Sequence, residues 1–121
     1  MQAGKAIYSL LSSVESDIYP VNIPQGVKGS KIVYNVISAT PSDRKDGTSA
    51  VDTLRVQVSV YTGRYDDGIV LAESVRSALD NYTGTTGGVA VDRIRFESEQ
   101  HTYNLDTDQY GVITDYMMRL K

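Results

Sequence analysis

His101 is the one histidine of the chain, and it stands among carboxylates in the segment Glu97-Ser98-Glu99-Gln100-His101. Residues i, i+2 and i+4 of a β-strand share a face, so a strand here would point Glu97, Glu99 and His101 the same way. A histidine beside two carboxylates can bind a divalent metal ion or act as a general base. An exposed strand face has the same composition, and the lack of a nucleophile motif nearby favours that solvated interpretation. Because the three side chains could still form a metal site, a small metal-dependent hydrolase stays open as an alternative function.

Other patterns that could carry chemistry are incomplete. Asp106-Thr107-Asp108 starts like a calcium-binding loop but lacks the later ligand positions, which favours an aspartate-rich turn. The glycine-rich residues 83–88 lack the Lys-Ser/Thr pair of a phosphate-binding loop and follow a helical pattern, which favours a flexible connector. We therefore predict that the protein is not an enzyme and has no cofactor, no catalytic residue and no metal-binding residue. Whether a divalent ion supports assembly stays open.

The composition is that of one globular domain. With 121 residues and 40% hydrophobic content, the chain can bury a core as a single domain over residues 1–121. It has no cysteine, which excludes disulfides, thiolate nucleophiles and cysteine-bound zinc and fits assembly in a reducing compartment. The net charge of -3 and the lack of a Lys/Arg cluster argue against a general nucleic-acid binder. No apolar run is long enough for a membrane span or a signal peptide, so we expect a soluble, unexported protein with no membrane partner.

The central stretch predicts a strand followed by a helix. Apolar and polar residues alternate over 54–61, as in a strand with one covered face. Over residues 71–82 the apolar side chains fall instead on one arc of a helix, which is the expected cover. Asp66 is the predicted N-cap, Asp67 would face the positive end of the helix dipole, and residues 81–84 supply a stop. The residues predicted to point into the core are Leu54, Val56, Val58, Val60, Leu71, Ala72, Val75, Leu79 and Tyr82.

The remaining segments predict one more helix and three more strands. Residues 3–14 have the spacing of an amphipathic helix, and residues 16–29, with two prolines, predict an extended crossing. Residues 31–39, 89–99 and 110–120 predict strands. The polar residues 40–52 predict a long, mobile hairpin loop. The sequence therefore predicts an α+β two-layer sandwich, with two helices packed on one face of a mainly antiparallel sheet of four to five strands.

The aromatic residues suggest subunit contacts. Nine tyrosines stand against one phenylalanine and no tryptophan, and a tyrosine ring can be buried while its hydroxyl meets water. We place Tyr8 at the edge of the first helical stripe, Tyr61 on the outward face of the central strand, and Val70 opposite the buried stripe of the second helix. Each alone is ordinary partly exposed surface, but together with Val33 and Ile37 they predict an oligomer.

The chain contains seven short motifs in a set order: Tyr8-Ser9-Leu10-Leu11, Ile18-Tyr19-Pro20, Pro24-Gln25-Gly26, Ile32-Val33-Tyr34, Ile37-Ser38, Arg55-Val56-Gln57-Val58-Ser59-Val60-Tyr61 and Leu71-Ala72-Glu73-Ser74-Val75-Arg76-Ser77-Ala78-Leu79-Asp80. In order and spacing these motifs resemble the tail-terminator proteins of long-tailed bacteriophages, also called tail-completion or head-to-tail joining proteins. The resemblance covers residues 8–80 and is weaker through the last two strands, where only size and strand order agree. Relatives often have a proline and an aromatic residue where this chain has Gly29-Ser30-Lys31.

The resemblance implies a structural role in the virion. Proteins of this family form a ring, commonly a hexamer, that sits on the last ring of tail-tube subunits and stops further polymerisation. The ring also presents the surface that docks to the head connector or stopper protein, and DNA passes through it without specific binding. The expected location is the head-proximal end of the tail, after assembly in the cytoplasm of the host bacterium. A connector adaptor or a minor tail-tube component is the neighbouring alternative.

Two patches and one loop are the candidate contact sites within such a ring. A closed ring needs two different patches on each subunit that meet. We predict one patch on the outward sheet face, formed by Arg55, Gln57, Tyr61, Arg93 and Arg95. The second patch would be the helix surface around Tyr8, Val70 and Arg76. The predicted loop at residues 40–52 would contact the tail tube or the connector through Asp43, Arg44, Lys45 and Asp46.

Overall fold

The chain forms one curled sheet with helices on its inner side. The computed structural model describes residues 3–12, 14, 18–20, 30–41, 52–105 and 108–120. No helix within these ranges is long and apolar enough to cross a membrane. The elements in chain order are α1 (Ala3–Leu11), β1 (Ile18–Pro20), β2 (Lys31–Pro41), β3 (Asp52–Thr62), α2 (Tyr65–Leu79), β4 (Gly84–Thr86), β5 (Val89–Asn104) and β6 (Gln109–Leu120).

The sheet is larger and more curved than the sequence predicts. Its six strands lie in the order β1-β2-β3-β6-β5-β4, and β1 pairs with β2 in parallel while the other neighbours are antiparallel. The protein is therefore mostly sheet, a mixed six-stranded half-barrel with two described helices. The predicted two-layer sandwich of two helices on four to five strands is wrong, because two short strands extend the sheet and its curl replaces a flat layer.

Both short strands lie where the sequence predicts connections. In the predicted crossing, Ile18 pairs with Ile32 and Pro20 with Tyr34. Three residues are too few for an alternating pattern to identify a strand. In the predicted flexible connector, β4 pairs with the start of β5 through a tight turn at Gly87 and Gly88, whose φ angles are 58° and 78°. The turn explains the two glycines, because left-handed backbone favours residues without a Cβ.

The core lies on the inner face of the sheet, as the alternation over 54–61 predicts. Leu54, Val56, Val58 and Val60 are all fully buried. The helices cover them with the side chains that the helical spacing selects, which supplies the apolar burial that holds the layers together. The buried helix residues are Ala6, Ile7, Leu11, Gly68, Ala72, Val75 and Leu79, with Leu10, Val14, Leu71 and Tyr82 partly buried against the core.

The two ends of α2 differ in how well the sequence predicts them. The N-cap residue is Arg64 and makes no side-chain capping bond, so the prediction that Asp66 caps the helix is wrong. Asp66 and Asp67 lie inside the first turn, where their negative charges interact favourably with the positive end of the helix dipole. The predicted stop is confirmed, since the helix ends at Leu79 and Asn81 takes a left-handed φ of 64°.

Candidate interaction surfaces

An irregularity in β5 interrupts the segment that carries Glu97, Glu99 and His101. A register shift between Phe96 and Ser98 puts Glu99 opposite Thr114 and His101 opposite Val112, both on the inner face. Glu97 falls at the shift, so the strict alternation behind the predicted common face of Glu97, Glu99 and His101 does not hold there. No group of three potential metal ligands lies together within the described ranges. Of the predicted group, the structure brings Glu99 and His101 into direct contact.

His101 instead joins β5 to the start of α2. Its Nε2 lies 2.9 Å from a carboxylate oxygen of Glu99, and its Nδ1 lies 2.8 Å from the Tyr65 hydroxyl. Tyr65 also meets the Tyr110 ring edge-on at a centroid distance of 5.8 Å, and Tyr110 contacts Tyr103 at 4.7 Å. This aromatic cluster ties the helix to the β5–β6 hairpin, so the histidine has a structural explanation.

The outward face of the sheet carries a grid of arginines. Cross-strand pairing places Arg55 and Arg95 on either side of Met117, so these three side chains form one row across β3, β6 and β5. The next row has Arg119 in the middle, with Arg93 and Thr53 as its neighbours. All four arginines are exposed and Met117 is half-buried. We call these two rows the arginine grid; they bring together Arg55, Arg93 and Arg95 of the predicted patch.

Two aspartates neutralise only part of the grid. Asp115 pairs with Arg55 at 3.2 Å, and Asp92 pairs with Arg119 at 3.6 Å. Arg93 and Arg95 form no ion pair with any residue that the structure describes. A pocket of about 370 Å³ lies here, lined by Thr53, Asp92, Arg93, Arg95, Met117, Met118 and Arg119. This face can therefore accept further negative charge.

Asp115 is the centre of the sheet's outward hydrogen bonds. Besides Arg55, its carboxylate accepts from Gln57 Nε2 at 3.4 Å and from Ser98 Oγ at 3.2 Å. Gln57, predicted as an interface residue, is thus engaged within the subunit. Our prediction did not include Asp115, Met117 or Arg119, although they alternate along β6 with residues that are buried on the inner face. The same alternation could have identified them.

The other predicted interface residues lie apart from the grid. Tyr61 covers the backbone at Gly111, where an added Cβ would lie 3.0 Å from its ring, so this tyrosine packs within the sheet. Arg76 stacks on the Phe96 ring at 3.9 Å and pairs with Asp80 at 3.7 Å. Tyr8 and Val70 are 48% and 62% exposed. The predicted loop residues Asp43, Arg44, Lys45 and Asp46 lie outside the described residues.

The exposed side of α2 forms a second charged surface. Asp66, Val70 and Glu73 are spaced i, i+4 and i+7 and are all exposed, so they lie on one stripe. We call this the α2 stripe. Neither carboxylate is paired with another residue in the part of the chain that the structure describes. Our prediction included Val70 but neither carboxylate, because Asp66 was assigned a capping role.

Comparisons with known proteins point to one family. No protein of curated function matches the chain. A solved chain from the virion of a native gene transfer agent particle has the same fold, with a TM-score of 0.72 and 17% identity over 99% of this chain and 93% of that one. A second solved chain gives a TM-score of 0.69 and 20% identity over 98% and 93%. The family described as Tail completion protein gp17 matches residues 2–121, so this chain belongs to that family and is a structural protein of a bacteriophage tail.

Proposed function

We propose that this protein forms a ring that caps the phage tail tube, ends its polymerisation and provides the docking surface for the head connector. The observation that carries this proposal is the family match over residues 2–121. Completing a tail requires a part that ends the repeating tube and prepares its end for the head. A ring at the head-proximal end performs both tasks with one small protein.

The surfaces of the subunit support a ring. A ring forms when two different patches on neighbouring subunits meet and the rotation closes. The arginine grid lies on the outward face of the sheet, while the α2 stripe lies on the helices that cover the inner face. These surfaces differ in charge and shape, which is what a head-to-tail contact requires.

The partners follow from that position. The ring would contact other copies of itself, the tail-tube protein below and the connector or stopper protein above, with Asp43 to Asp46 as the candidate contact with one of the latter two. DNA would pass through the ring without specific binding. The net charge of -3 favours this, because like charges discourage adhesion of DNA.

Electron microscopy of tails assembled without this protein tests the proposal. Overlong tubes are expected, because the stop is missing, and purified protein added back should restore the normal length. Mass measurement in solution, alone and with tail tubes, should detect assembly of several copies. Tubes of normal length that fail to join heads would favour a connector adaptor instead. A protein that stays single and does not bind tubes at any concentration would contradict the proposal.

A further inference from the structure

The arginine grid contains an arrangement that costs stability in the isolated subunit. Arg93 and Arg119 are direct cross-strand partners on the same face. Like charges at opposed positions of an antiparallel pair are destabilising. Asp92 lies 3.6 Å from Arg119 and offsets part of this repulsion, whereas Arg93 has no ion-pair partner among the described residues. Additional anionic groups that approach this face would reduce the repulsion further.

The chemistry of the grid fits carboxylates on a protein better than a nucleic acid. Four arginines and two aspartates leave a net charge of only +2, and Asp92 and Asp115 would repel a continuous phosphate backbone. Arginine binds carboxylates through two parallel hydrogen bonds, and Met117 offers an apolar centre between Arg55 and Arg95. Arginine and methionine are both enriched in protein interfaces.

The α2 stripe has the matching layout. An exposed valine, Val70, lies between two carboxylates, Asp66 and Glu73. Seven residues of helix separate the carboxylates by about 10.5 Å along the axis. Two strand spacings separate the Cα atoms of Arg55 and Arg95 by about 9.6 Å. The charges are opposite, the spacings agree, and each surface has an apolar residue at its centre.

We propose that the arginine grid of one subunit binds the α2 stripe of a second copy of this chain. Met117 then packs against Val70, and Arg55 and Arg95 pair with the two carboxylates of the stripe. Arg93 lies in the next row, close enough to add to the electrostatic attraction for the same two carboxylates. Because the two surfaces differ, each copy still has one of each to offer, and the contact repeats around a ring. The inference rests on the proposed ring and specifies its subunit contact.

Charge reversal on each surface tests the contact. The grid variant Arg55→Glu/Arg95→Glu and the stripe variant Asp66→Arg/Glu73→Arg should each weaken self-association at least tenfold in sedimentation equilibrium. Mixed in equal amounts, the two variants should assemble again, because each then meets a complementary surface on both sides. The control Lys5→Glu changes the net charge in the same direction and half as much as the grid variant does, at an exposed position on α1 that belongs to neither surface. It should assemble like the original chain. Circular dichroism and thermal unfolding verify that every variant is folded.

The outcomes separate this contact from the ring itself. If the original chain assembles and the grid variant assembles equally well, the contact is wrong and the ring stands on other surfaces. Failure of the mixed variants to assemble, with both folded, also overturns the contact. Normal assembly of the grid variant with loss of DNA binding in fluorescence anisotropy assigns the grid to nucleic acid. An original chain that stays single with and without tail tubes overturns the ring and the contact together.

Discussion

At the scale of single residues, Tyr116 is the least compensated polar group in the core. Its side chain is fully buried against Phe96, and its hydroxyl has no hydrogen-bond partner among the described residues. The neighbouring Thr114 hydroxyl donates to the Val58 carbonyl at 3.0 Å, so its proton is already committed. Burial raises the pKa of Tyr116 to about 12, because the charged form cannot be hydrated there.

Removing this hydroxyl should change stability at high pH and leave it nearly unchanged at neutral pH. At pH 8, Tyr116→Phe should alter the free energy of unfolding by less than about 1 kcal/mol, because no native hydrogen bond is lost. The unfolded chain releases the Tyr116 proton near pH 10 and the folded chain only near pH 12. Between these values the unfolded state binds fewer protons, so the original chain loses stability as pH rises, by up to about 1.4 kcal/mol per pH unit.

Urea unfolding at a series of pH values measures this difference. The other eight tyrosines are present in both proteins, so the difference between the two curves reports Tyr116 alone. Above pH 10 the Tyr116→Phe variant should become the more stable protein. Parallel curves from pH 8 to pH 11.5 would show that Tyr116 does not keep its proton through burial.

At the scale of elements, the sequence predicts those whose pattern is long enough to repeat. Eight residues of alternation over 54–61 predict β3 and its buried face, and the helical spacing over 71–82 predicts α2, which runs from Tyr65 to Leu79. The three-residue strands β1 and β4 leave no such pattern and depend on pairing with distant residues. Gly87-Gly88 is nevertheless a known signal for a two-residue hairpin, so β4 could have been predicted from its turn.

The sequence predicts only part of the candidate site, because the alternation does not continue through the whole of β5. Arg93 and Arg95 have the expected outward direction because they lie between the two register shifts of β5, where the alternation holds. Glu99 and His101 follow it and face the helices, since one extra residue reverses the alternation. Such an irregularity depends on the partner strand, so the sequence of β5 alone does not indicate it.

The β4–β5 turn offers a test at this scale through two adjacent glycines. Gly87 and Gly88 both have positive φ, so alanine is strained at either position. A Cβ at Gly87 would also lie 2.7 Å from the Lys5 carbonyl oxygen of α1, whereas a Cβ at Gly88 would have no atom within 4 Å. Gly87→Ala should therefore be more destabilising than Gly88→Ala, by about 1–3 kcal/mol, because helix and turn must move apart. Thermal unfolding of the pair measures this, and equal losses would mean that the turn does not pack on α1.

At the scale of the whole molecule, the two faces of the sheet have different roles. The inner face carries the apolar residues that hold the helices, while the outward face carries the arginine grid. Opposed arginines do not favour folding of one subunit, and a surface that binds another protein commonly costs its own chain some stability. The subunit can stay folded despite this loss of stability because β3, β5 and β6 are paired along most of their lengths.

This division predicts that relief of the repulsion stabilises the subunit but weakens its assembly. Arg93→Thr removes one of two opposed charges and places a β-branched residue in a strand, so the free energy of unfolding should rise by about 0.5 kcal/mol. Arg95→Thr is the matched control: Arg95 lies opposite Met117, so its loss relieves no direct repulsion and should leave stability nearly unchanged.

Both variants should associate more weakly, since each removes a grid cation, and added salt should weaken association of the original chain in the same way. Urea unfolding of the dissociated subunits and sedimentation of the assembled ones measure the two effects separately. If Arg93→Thr loses stability where Arg95→Thr does not, the opposed arginines support the fold, and the cost assigned to the grid is wrong.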